Sequence, residues 1–198
     1  MSDLPIAIID DLYTKEECDL IWQELCFLNS SQLKMTEPEK TGAAKNLDGE
    51  ILKKNKGIFL DSVYHLRNFS NILTLNRKIF SLEPSLSKQS YFFKYLKVSN
   101  QDTTLIQYYE NSDYYKSHHD ISLITAISWF YQNPKSFSGG DLIFTDDIKV
   151  ECKHNRMVIF PSIINHEVQQ VTLDQNLLNQ NLGRYSITQF ITIKLSSS

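Results

Sequence analysis

Polar and apolar positions change their period part-way along this chain. Near the start, "TKEECDLIWQELCFL" repeats Cys18, Ile21, Trp22, Leu25 and Leu28 at helical spacing. Thr14 is a natural N-cap, and Glu17, three residues on, completes a capping box. The short apolar run Ile6–Ile9 before it reads as a first strand. A second helix is predicted from Ser70, a good cap, through "NILTLNRKIF". Between them, from about Ser31 to Lys56, periodicity disappears into a stretch rich in Lys, Gly, Asn and Asp. A loop that long inside a compact domain is usually functional or disordered.

From Gln89 onward the pattern switches to short β-branched and aromatic runs separated by Gly, Asn, Asp and Pro. These are "SYFFKYLKV", "TTLIQYYE", "SLITAISWFYQ", "GDLIFTDD", "KVECK", "RMVIFP", "HEVQQVT" and "YSITQFITIK". With no helix between them they predict an antiparallel double sheet or jelly roll, not βαβ units. The expected architecture is mainly β with N-terminal helices: one domain over 1–198, with 1–88 as helical support and loop and 89–194 as a β-barrel core. The only low-complexity segment is the serine tail, Ser196–Ser198.

Composition narrows the function. The chain has 198 residues, 41% of them hydrophobic, enough for a substantial core in a single domain. A net charge of −3, with no basic run beyond "LKKNKG" (Leu52–Gly57), argues against nucleic acid as the main partner. No stretch approaches transmembrane length, and the N-terminus does not read as a signal peptide. Three cysteines without a CxxC pair suit a reduced, cytoplasmic protein.

Candidate chemistry sits in "YYKSHHDIS". Alternate strand residues share a face, so His118 and Asp120 can reach one ion together while His119 points to the other side. His166, at the start of a later strand in "FPSIINHEVQQV", supplies a third ligand. Two imidazoles and a carboxylate make a facial triad that suits non-heme Fe(II), although zinc fits the same donors. In "GRYSITQFITI" the same period-2 rule puts Arg184, Ser186 and Thr188 on one face of a final strand. A guanidinium with hydroxyls beside it is a natural partner for a carboxylate.

His118-x-Asp120, Gly139-Gly140-Asp141-Leu142, "RMVIFPS", His166-Glu167-Val168 and Arg184-Tyr-Ser-Ile-Thr, in that order, resemble the prolyl 4-hydroxylase-like branch of the Fe(II)- and 2-oxoglutarate-dependent dioxygenases. The likeness runs from about Tyr108 to Ile193. It implies a double-stranded β-helix (cupin-like) core. It implies His118, Asp120 and His166 as iron ligands and Arg184 on the distal carboxylate of 2-oxoglutarate. Tyr108 looks like the family tyrosine that assists that carboxylate, and Thr188, beside Ser186, matches a helper position on the arginine strand. A further co-substrate tyrosine of the animal oxygen-sensing members corresponds to Trp129, so that contact does not carry over. The stretch Leu173–Gly183, "LDQNLLNQNLG", lengthens the gap between His166 and Arg184 relative to the family and is expected to fold as a longer hairpin.

Hydroxylation of a peptidyl proline, with Fe(II), 2-oxoglutarate, O2 and ascorbate as cofactors, and with succinate and CO2 as co-products, is what the resemblance implies. A free amino acid or other small molecule is the alternative substrate, with Tyr115 and Phe190 as candidate lining residues. The segment Ser31–Phe59 suits a substrate lid, with Lys53, Lys54 and Lys56 either on an acidic partner or simply solvated. Two other classes compete: a non-catalytic cupin-like metal-binding module, and a zinc hydrolase with Glu167 as its only nearby base, although Glu167 should point outward.

Overall fold

The computed structural model describes residues 4–30, 33 and 35–194. Ser31, where the irregular segment begins, and the serine tail lie outside the described residues.

Two antiparallel sheets form the core. The larger has six strands in the order Ala7–Ile9, Met157–Pro161, Ile124–Phe130, Arg184–Thr192, Gln101–Tyr109, Lys56–Phe59. The smaller has five, in the order Lys53–Lys54, Tyr114–His118, His166–Val168, Leu142–Phe144, Lys149–Val150. This is the jelly roll that the run of short strands predicts. Aliphatic and aromatic residues of both sheets, including Ile127, Trp129, Phe160, Leu142, Phe144 and Val168, fill the space between them.

The strand Arg184–Thr192 shows how alternation divides labour. Tyr185 and Ile187 turn outward and pack with Ile21, Leu25 and Leu28 of the helix Lys15–Leu28, while Ile191 joins Ile79, Leu86 and Phe93. Arg184, Ser186, Thr188 and Phe190 turn inward and line a cavity between the sheets. The first helix starts as read: the Thr14 hydroxyl accepts from Glu17 N, and Thr14 N donates to Glu17 Oε2 at 2.8 Å. Ser70 caps the short helix Asn71–Leu75, accepting from Leu73 N at 3.0 Å. The second predicted helix breaks after Leu75 and resumes as Lys78–Ser81.

Two readings of the chain are corrected. "SYFFKYLKV" is not a strand but a 3-10 turn, Tyr91–Lys94, running into the helical turn Tyr95–Val98. Its aromatic content favours β structure, but the residues it buries in the core are Phe93 and Leu96, three apart, and Ser90 caps the turn by accepting from Phe92 N. The irregular segment, in turn, ends as two strands. Residues 53 to 57 alternate buried and exposed, yet the inward positions are Lys53, Asn55 and Gly57. Strand alternation there carries no apolar signal. No helix among the described residues is long and apolar enough to cross a membrane.

Candidate active site

His118 and His166 meet across the smaller sheet as direct register partners, with ring centroids 4.4 Å apart. Asp120 follows the end of its strand and is held there by Asp120 N donating to Ser162 O at 2.9 Å. One donor atom from each of the three lies within 4.8 Å of the others. His118 Nε2 is 3.7 Å from Asp120 Oδ1, and His166 Nε2 is 3.6 Å from Asp120 Oδ2.

The other imidazole nitrogens are tied down. His118 Nδ1 bonds Lys116 O and His166 Nδ1 bonds Ile164 O, each at 2.9 Å, which turns both Nε2 atoms to the centre. Asp120 Oδ2 accepts from Thr125 Oγ1 at 2.6 Å, and Thr125 in turn meets Ser162, itself bonded to Ser122. Burial, with His166 and Lys53 nearby, pushes the His118 pKa down to about 3, so its imidazole is a neutral donor. His119 is exposed and points away from the group; Glu167 lies outside it too.

A bulge completes this side. His166 pairs with His118 but Val168 pairs with Tyr115, so the 114–118 strand carries an extra residue. Lys116 and Ser117 both face outward, and Tyr115, three residues before His118, shares its inward face. The two rings stack at 3.5 Å with 15° between planes. The Tyr115 hydroxyl accepts from Ala44 N at 2.9 Å, pinning the segment before Lys53 over the site.

Arg184 occupies the same cavity, of about 50 Å³, and is 0% exposed. Its guanidinium carbon lies 4.7 Å from the Tyr109 ring centroid and 5.6 Å from that of Trp129. Gly140, at φ +75°, makes the room: a Cβ there would come within 2.7 Å of Arg184 Cδ. Among the described residues, Nε, Nη1 and Nη2 all lack a hydrogen-bond partner. An arginine cannot shed its charge, and a buried unpaired charge is strongly unfavourable. This is a seat shaped for an anion. Ser186 and Thr188 line the cavity beside it, both donating to Gln107 Oε1, at 3.4 and 3.2 Å. The Leu173–Gly183 stretch does not close the expected hairpin: Val171–Leu173 pairs with Phe137–Gly139, not with Arg184–Thr192, and a 3-10 turn, Gln175–Leu177, leads on to Arg184, which pairs with Tyr109 in unbroken register.

Tyr108 does not face this cavity. It is on the outer side of its strand, with its ring 4.5 Å from Tyr185 and its hydroxyl donating to Glu110 and accepting from Gly183 N. Leu105, Gln107 and Tyr109 are the inward residues, so the tyrosine at the arginine is Tyr109. Tyr115 and Phe190 line the cavity and also an outer mouth of about 500 Å³ shared with Phe59, Ala43 and Ile121. Lys53, too, faces the metal side.

Residues 104–192 match the 2OG-Fe(II) oxygenase superfamily. The match covers rather under half of the chain and contains the whole His-Asp-His group and Arg184. The superfamily implies Fe(II), 2-oxoglutarate and O2, and both the donor set and the orphaned guanidinium fit them. No curated protein matches the sequence. Among solved structures, a prolyl-4-hydroxylase from Pseudomonas putida is similar at TM-score 0.62 and 12% identity, over 97% of this chain and 94% of that one. A Trichoplax adhaerens prolyl hydroxylase, solved with a hypoxia inducible factor peptide fragment, is similar at 0.63 and 15%, over 98% and 88%. A collagen prolyl hydroxylase of Paramecium Bursaria Chlorella virus-1, in a 2OG complex, is similar at 0.58 and 13%, over 96% of each chain. The oxygenase fold is thus shared with prolyl hydroxylases along nearly the whole chain.

Proposed function

We propose that this chain is an Fe(II)- and 2-oxoglutarate-dependent dioxygenase that hydroxylates a C–H bond in a proline-containing peptide. His118, Asp120 and His166 hold iron, and Arg184, with Ser186 and Thr188 beside it, receives the far carboxylate of 2-oxoglutarate. The observation that carries the reading is Arg184, a fully buried guanidinium with three unpartnered nitrogens in the cavity that holds the His-Asp-His group. A non-catalytic metal-binding module leaves it unexplained, and a zinc hydrolase lacks its base, because Glu167 lies outside the His-Asp-His group.

Iron, 2-oxoglutarate and O2, when bound, supply the oxygen transfer, with succinate and CO2 as co-products. The protein binds and orients. The Nδ1 bonds of His118 and His166 and the Thr125 hydroxyl on Asp120 aim three donors at one point. Arg184 fixes the co-substrate's orientation from its cradle of Tyr109, Trp129 and Gly140. Tyr115 and Phe190 line the side from which substrate enters, and the Thr41–Ala44 backbone borders the mouth. Support for a peptide comes from the size of that mouth and from the peptide held by the Trichoplax relative in fold. Three free cysteines suit a reducing compartment such as the cytoplasm.

The test is spectroscopic. Anaerobic protein with Fe(II) and 2-oxoglutarate should show a weak visible metal-to-ligand charge-transfer band. Asp120→Ala should abolish it, and Arg184→Ala should need on the order of a hundred-fold more 2-oxoglutarate, as for a lost buried charge pair. Tight zinc binding with no response to 2-oxoglutarate would overturn the reading.

A further inference from the structure

Lys53 is the cation at the metal side that the proposed chemistry leaves unused. It lines the same cavity as His118, Asp120 and His166 and is 5% exposed. No ion pair or hydrogen bond among the described residues reaches its ammonium, which lies over the Tyr115 ring, 5.2 Å from the centroid. Its strand pairing, Lys53 with Tyr115, fixes it above the stacked Tyr115–His118 rings. Its neighbours Lys54 and Lys56 turn outward, and Lys54 pairs with Asp113 at 3.3 Å. Only Lys53 is spent on the interior.

Charge balance says what it awaits. With a divalent iron, a doubly charged 2-oxoglutarate, Asp120 and Arg184 together, the cavity is neutral. Lys53 adds one positive charge, and burial already pushes its pKa down to about 8, with Asp120 opposing. A buried ammonium without a partner is unfavourable unless an anion comes to meet it. Asp120, Tyr115 and Phe190 line both the cavity and the mouth, so an incoming substrate passes directly by this group. Among the described residues, neither lysine nor arginine lines the mouth itself.

We infer that Lys53 is a substrate-binding residue and that the substrate carries a carboxylate close to the carbon that is hydroxylated. The inference rests on the oxygenase reading above and narrows its substrate class. Two sources share this chemistry: an acidic side chain flanking the target residue, or the main-chain carboxylate of a C-terminal or free amino acid.

Protein loaded with Mn(II) and 2-oxoglutarate, which does not turn over, allows binding to be measured by calorimetry. Two matched pairs serve as probes: acetyl-Asp-Pro-amide against acetyl-Asn-Pro-amide, and N-acetylproline against its amide. The acid of at least one pair should bind roughly ten-fold tighter or more than its neutral twin, the scale of a charge-assisted hydrogen bond. The pair that shows it identifies the source. Lys53→Met should bring the twins within about two-fold of each other, and Lys53→Arg should restore part of the preference. Acids no better than amides, no binding by either acid, or a preference that survives in Lys53→Met overturns the inference. So does a Lys53→Met variant that needs as much extra 2-oxoglutarate as Arg184→Ala, because the ammonium would then serve the co-substrate. The charge-transfer band of the wild type reports on the oxygenase reading separately: a normal band with a failed panel sinks the carboxylate alone.

Discussion

Both histidines in the cavity have Nδ1 tied to a carbonyl and Asp120 accepts from Thr125, whereas Arg184 and Lys53, in the same cavity, find no hydrogen-bond partner among the described residues. On the proposed function, the difference follows from what each group would hold. A metal site requires donors aimed in advance, so neighbouring protein atoms fix the rings and the carboxylate. Groups for ligands that arrive and leave in every cycle have to keep their bonding capacity free. They are held by packing instead: Arg184 against Tyr109, Trp129 and Gly140, and Lys53 against Tyr115. The empty-handed cations should lower the stability of the ligand-free fold, an expectation that can be measured.

The largest effect expected from this contrast is at Lys53. Its pKa falls from the usual 10.5 to about 8 on folding, chiefly through burial. Below about pH 8 both folded and unfolded chains carry the proton and the full penalty applies. Between about 8 and 10.5 the unfolded chain binds more protons, so stability rises with pH as the penalty is relieved. Lys53→Met should therefore stabilise the ligand-free protein by on the order of 3 kcal/mol at pH 7. Denaturant melts from pH 7 to 10.5 should show that gain fading. A variant less stable than wild type at pH 7 would mean that Lys53 is a structural residue. On the metal side the opposite sign holds, because Thr125 is a partnered support. Thr125→Val keeps the shape and removes the hydroxyl from Asp120, so Mn(II) affinity should drop by roughly ten- to a hundred-fold. Unchanged Mn(II) affinity by titration would show that Asp120 needs no such support.

How much of this could be read along the chain depends on whether a residue's role leaves a trace in the hydrophobic pattern. The jelly roll and the inward face of Arg184, Ser186 and Thr188 were legible, because regular alternation of the final strand survives intact in the fold. His118 and Asp120 do converge, though Asp120 lies just past the strand and a backbone bond to Ser162 places it. Tyr115 shares the face of His118 only through a bulge, which period-2 counting does not foresee. Lys53 was hidden for a different reason. Its strand puts polar residues inward, so a regular alternation looked like a solvated loop. The helical turn of "SYFFKYLKV" reverses that error, a β-like composition whose packing partners lie three apart.

The smallest expected effect concerns neighbouring tyrosines and separates alignment from geometry. Family spacing points to Tyr108 as the co-substrate's helper, while the fold turns that side chain outward, where its hydroxyl is shared between Glu110 and Gly183 N. The same period-2 rule that selects Arg184 and Ser186, applied to their partner strand, selects Gln107 and Tyr109. Tyr108→Phe should leave the 2-oxoglutarate concentration that saturates the charge-transfer band within about two-fold of wild type, with a stability loss of about 1 kcal/mol for the hydrogen bonds. Tyr109→Leu removes the ring on which Arg184 rests, and with it a cation–π contact of about 1 to 2 kcal/mol in a desolvated setting. The saturating concentration should then rise about five- to thirty-fold. If instead Tyr108→Phe raises it and Tyr109→Leu does not, the outer tyrosine acts on the cavity through Gly183 and the Arg184 turn, and the inward face is not what selects the co-substrate's neighbours.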